Sequence, residues 1–74
     1  MEPKWIIKCQ LHTDYREKSP STYYYSGINE FQGNYKFDTR RDEAEVFTDF
    51  EKAYSLGNTL LRRASVNGAI VERL

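Results

Sequence analysis

DEAEVFTDFEKAYSLGNTLLRRASV, residues 42–66, sets the architecture of the chain. At 100° per residue, Phe50, Ala53, Tyr54, Gly57, Leu60, Leu61 and Ala64 fall on one stripe, the spacing of an amphipathic helix. Glu51, Lys52, Ser55, Asn58, Thr59, Arg62 and Arg63 take the opposite side. Thr48 with Glu51 three residues on reads as a capping box, and Asn67-Gly68 as the stop. Gly57 is the weak point, since glycine inside a helix costs about 1 kcal/mol relative to alanine. Its place in the apolar stripe predicts either a kink there or a close approach to a bulky neighbour. Ahead of the helix, Ala44, Val46 and Phe47 form a short arm of apolar anchors.

Working outward, the upstream residues alternate as strands do. Trp5 to His12 places Trp5, Ile7, Cys9 and Leu11 on a core face and Ile6, Lys8, Gln10 and His12 on the other. Ser21 to Ser26 carries Tyr23, Tyr24 and Tyr25, with Tyr24 opposite its neighbours, and Tyr35 to Asp38 supplies a third strand after a turn at Gly33-Asn34. Ile28 and Phe31 fall in the break between these strands and are expected to fold over the sheet edge. Ala69 to Leu74 closes the chain as a short strand, at the sheet edge or in its middle. The order is β-β-β-α-β: an α+β fold with a small antiparallel sheet of three to four strands covered by one helix.

Seventy-four residues, 1–74, make a single domain whose core needs most of its large side chains. Lys plus Arg and Asp plus Glu are 11 each, so no net field draws the chain to nucleic acid or an acidic membrane. The apolar run at the N-terminus is too short for a signal peptide or a span, and the lone Cys9 suits a reducing compartment. The expectation is a soluble, cytoplasmic protein.

Few residues carry chemistry. His12 is the only histidine, and no His/Cys cluster has zinc-ligand spacing. Cys9 on an apolar face reads as a small buried hydrophobe. The pairs Asp42-Glu43 and Glu43-Glu45 lie in a charged turn, and phosphate-cradling glycine loops and nucleophile elbows are absent. No catalytic residue, metal ligand or cofactor is expected. Protein recognition fits better, because tyrosine and arginine are enriched at interface hot spots. The candidate contacts are Tyr15 and Arg16 in the polar loop TDYREKSPS, residues 13–21, with Tyr23, Tyr25, Arg40 and Arg41. Two alternatives stand beside it. The tyrosines could stack single-stranded nucleic acid with Lys36, Arg40, Arg41, Arg62 and Arg63 on phosphates, although interleaved acids oppose this. An exposed sheet edge could instead make a self-associating structural protein, so that the chain is a monomer or a homodimer.

Three segments, WIIK at 5–8, YYYSG at 23–27 and DEAEVFTDFEKA at 42–53, together resemble a loose class of very short proteins of phages, prophages and bacterial accessory regions. Trp5, Tyr24, Tyr25 and Gly27 match its opening strands, and Ala44, Phe47 and Ala53 the segment entering its helix. The loop TDYREKSPS and Gly57 depart from the pattern. The resemblance implies a small fold of this kind and a role in binding or inhibiting a host protein.

Overall fold

A computed structural model describes residues 3–12, 21–29, 33–63 and 66–74. Its strands are β1 (Trp5–Leu11), β2 (Ser21–Asn29), β3 (Asn34–Asp38) and β4 (Val66–Arg73), with helix α1 (Phe50–Leu61) between the last two. They form one antiparallel sheet in the order β3-β2-β1-β4, so the final strand lies at an edge. The β-β-β-α-β order and the α+β class are as the periodicity predicts.

On the helix side, Ile7, Cys9 and Leu11 of β1 are buried with Tyr25, Ala53, Leu60 and Val66. Helix α1 packs on β4 and β1 and leaves the β2–β3 half to aromatics. There Tyr25, only 3% exposed, is centred 5.9 Å from Tyr35, 6.4 Å from Phe37 and 6.0 Å from Phe47. Edge-to-face contacts with Tyr35 and Phe37 and a stacked one with Phe47 close this part of the core.

The other face holds a finding that alternation does not predict. Ile6 is fully buried, although it shares a side with Lys8 and Gln10. It pairs with Glu72 of β4, and the carboxylate of Glu72 lies 3.9 Å from Nε of Arg41 in a single 3-10 turn, Arg41–Glu43, that rests against β2. The Arg41 side chain, carried on the connection after β3, therefore reaches Glu72 beside Ile6 on this side of the sheet. The chain then enters the seam between β1 and β2, which pair only from Lys8↔Tyr24 to Leu11↔Ser21. Beyond that point the N–H of Glu45 donates to the Tyr25 carbonyl at 2.8 Å, and Phe47 exchanges two main-chain bonds with Trp5. A bulge between Tyr25 and Gly27, with Gly27 at φ +114°, bends β2 away to admit the arm.

Several boundaries differ from the sequence reading. The cap is Asp49, not Thr48: its backbone is extended and its side chain accepts the Glu51 N–H at 3.0 Å. Helix α1 runs unbroken through Gly57 and ends at Leu61, while Asn67-Gly68 belongs to β4. Among the described residues a Cβ on Gly57 would meet nothing within 4 Å, so none of them is the bulky neighbour that would explain this glycine. β2 continues to Asn29 rather than stopping at Ser26, which places Ile28 within the strand, and Phe31 lies outside the described residues. Of the arm's three anchors, Phe47 packs on the core whereas Val46 is exposed.

Candidate functional site

Among the described residues singled out for binding, the tyrosines turn to the helix side and the arginines to partners within the chain. Tyr15 and Arg16 lie outside the described residues. Tyr23 pairs with Cys9 and packs against the core, and Tyr25 is part of that core, so its ring is not available to a partner. The alternation that separates Tyr24 from its neighbours holds: Tyr24 pairs with Lys8 on the opposite face. Sequence alone could not say which of the two sets faced the helix.

The arginines are largely engaged within the chain. Arg40 Nε stands 3.3 Å from Asp38 Oδ1, and its main-chain N–H donates to the same oxygen at 2.9 Å. These contacts, the main-chain bond foremost, hold the Asp38 carboxyl below its ordinary value. Arg40 also lies 3.9 Å from Glu43, and the guanidinium of Arg63 covers the Tyr35 ring at 4.8 Å. Arg41 points to Glu72, whose Oε2 is shut from solvent without a hydrogen bond among the described residues. Cations already matched to carboxylates or rings release few counterions to a polyanion.

Cys9 is fully buried on β1, and burial pushes its thiol up to about 11, the reverse of what a nucleophile needs. Among the described residues no three His, Cys, Asp or Glu side chains are grouped to hold a metal ion. No described helix is long and apolar enough to cross a membrane.

The surface that stands out is the free edge of β4. In the β1–β4 ladder the Leu74 N–H donates to the Lys4 carbonyl, which sets the alternation: Gly68, Ile70 and Glu72 turn their main-chain groups toward β1. Ala69, Val71 and Arg73 turn theirs outward, to an edge that no described strand occupies. Above this edge runs an open groove of about 290 Å³, walled by Phe50, Tyr54, Gly57 and Asn58 of α1 and floored by Ala69–Val71. Its helix wall is apolar, Tyr54 being 56% exposed and Phe50 46% with their rings stacked, while the Ile70 side chain, 62% exposed, stands with Lys8 on the opposite face of the sheet. Helical periodicity places Phe50, Tyr54 and Leu61 in the buried stripe, yet all three are exposed, and Phe50 and Tyr54 wall the groove, because α1 packs on the last strand more than on the middle of the sheet.

Edge strands are ordinarily blunted by charge, proline or a bulge. β3, the other edge, is five residues long, carries exposed Lys36 and pairs with β2 through a bulge. β4 has no charge from Val66 to Val71. That uncharged run, VNGAIV, was the signal available in the sequence, hidden because Asn67-Gly68 also reads as a helix stop. No protein-family model matches the chain, and no curated protein or solved structure matches it.

Proposed function

We propose that the protein is a small, non-catalytic protein-binding module that receives an extended segment along β4, beneath the flank of α1. The single observation that carries this reading is the pairing of an unblunted strand edge with an apolar groove. Outward main-chain groups supply affinity in strand addition, and alternate side chains enter the groove. The non-catalytic part is supported by the sealed Cys9 thiol. A reducing, cytoplasmic setting suits that free thiol. The accessory or phage-type context and an inhibitory role are what the sequence resemblance adds.

The test uses the whole chain and its Ile70→Lys variant as baits for extract from the source cells. A protein held by the first and released by the second is expected. Retention of the same proteins by both overturns the placement on β4. A titration with short single-stranded oligonucleotides at low salt forms the second arm. Salt-sensitive shifts at Tyr24, Lys36, Arg40 and Arg41 would favour nucleic acid instead.

A further inference from the structure

We infer that the occupant of this edge is a second copy of the same chain, paired antiparallel through β4 about a two-fold axis at Ile70. The inference rests on the reading of β4 as a docking edge and names its partner.

The charge pattern of the strand is the first argument. Glu72 and Arg73 follow an uncharged VNGAIV, so the charges of β4 lie at one end. Antiparallel pairing sends them to opposite ends of the joint, with Glu72 opposite Gly68 of the other copy. Parallel pairing would set like charges side by side. Register follows from the same pattern. Centred on Ile70, Ala69 and Val71 exchange main-chain bonds with their counterparts, using the groups that point outward. Ile70, the most exposed of the large apolar residues among those described, then covers its own copy on the opposite face. Moving the axis to Val71 places the Glu72 carboxylate against Ile70, and moving it to Glu72 opposes two carboxylates.

The helix provides a second argument, independent of the strand. Phe50, Tyr54 and Leu61, all exposed, lie on one flank of α1 with Gly57 between the last two. Because Tyr54 and Gly57 wall the groove whose floor is the Ala69–Val71 segment, the same axis brings two helices together antiparallel. Phe50 then faces Leu61 of the other copy, and Tyr54 faces Gly57, where the space left by a missing side chain can admit a ring. This gives Gly57 a role that the single chain does not. The blunted β3 edge prevents further addition, so an isologous contact closes at two copies. Zero net charge raises no general repulsion between them.

Sedimentation of the full chain from micromolar to millimolar concentration tests the inference. A monomer–dimer equilibrium with no larger species is expected. Ile70→Lys should raise the dissociation constant roughly tenfold or more, since it sets two ammonium groups against each other across the axis. An equimolar mixture of Ile70→Lys and Ile70→Glu should recover the dimer, because only at the axis does a residue meet its own counterpart. Gly57→Leu should also yield monomer, with circular dichroism retained and a thermal midpoint at low micromolar protein no lower than that of the wild type. A wild-type monomer throughout, species beyond the dimer, or a dimer indifferent to these changes overturns the inference. If the wild type is monomeric while Ile70→Lys still releases a different captured protein, the second copy is excluded and the docking edge stands. If neither the dimer nor capture responds to the variants, both fall.

Discussion

Gly57→Ala should stabilise the single chain, and the size of the effect follows from two observations. The glycine lies within a continuous helix at ordinary helical φ, where alanine is favoured by about 0.8–1.0 kcal/mol. The added methyl meets no atom within 4 Å, so it brings neither a clash to subtract nor new packing to add. The expected gain is therefore about 1 kcal/mol, which for a domain of this size raises the melting midpoint by about 4–8 °C. Urea denaturation at low micromolar protein, with an unchanged slope, is the appropriate assay, because self-association at higher concentration would add its own stabilisation. A loss of stability at that concentration would refute the reasoning, since it would mean that a neighbour fills the space above Gly57. The same substitution at Gly27 should act in the opposite direction. At φ +114° a side chain is strained by about 1–3 kcal/mol, and its Cβ would come 3.0 Å from a Glu45 carboxylate oxygen.

Other outcomes follow from the core. Ile6→Ala should cost about 2–5 kcal/mol in denaturation, as for any buried isoleucine; a surface-like loss below about 0.5 kcal/mol would contradict the burial of Ile6. Cys9 should react with a thiol reagent only as fast as the domain opens, so immediate labelling of native protein would contradict its burial. Between pH 9 and 11 stability should fall, because the unfolded chain releases the Cys9 proton near its ordinary value of 9.0 whereas the folded one holds it to about 11. Two pH units correspond to about 2.7 kcal/mol at most. The phenol of Tyr25, raised first by burial and next by Glu45, adds a loss of the same sign at higher pH. Cys9→Ala should flatten the fall between pH 9 and 10; an unchanged slope would locate its cause elsewhere.

Much of the fold was legible because local periods carry it. Trp5 to Leu11 alternates cleanly, and Phe50 to Leu61 has a helical stripe that survives its glycine. The cap lay one residue later than expected because Thr48 and Asp49 are both competent, and only backbone conformation chooses between them. Ile6 could not be recognised as core, since in its own strand it alternates on the same side as Lys8 and Gln10. The site was still less legible. Tyrosine-rich strands suggested an exposed aromatic surface, but α1 reaches only β4 and β1, and the rings are needed to close the remainder. Phe50 and Tyr54 were assigned to the core by the same periodicity that correctly buried Ala53 and Leu60. Periodicity gives the direction of a helix face but not how far the helix overhangs its sheet.

Amide hydrogen exchange along β4, followed as protein concentration rises, tests the docking edge most directly. Gly68, Ile70 and Glu72 turn their N–H groups to β1 and should be protected at every concentration. Ala69 and Val71, open in the single chain, should exchange quickly when dilute and become protected as the second copy binds. Exchange at Ala69 and Val71 that stays fast up to millimolar protein would contradict the self-paired edge.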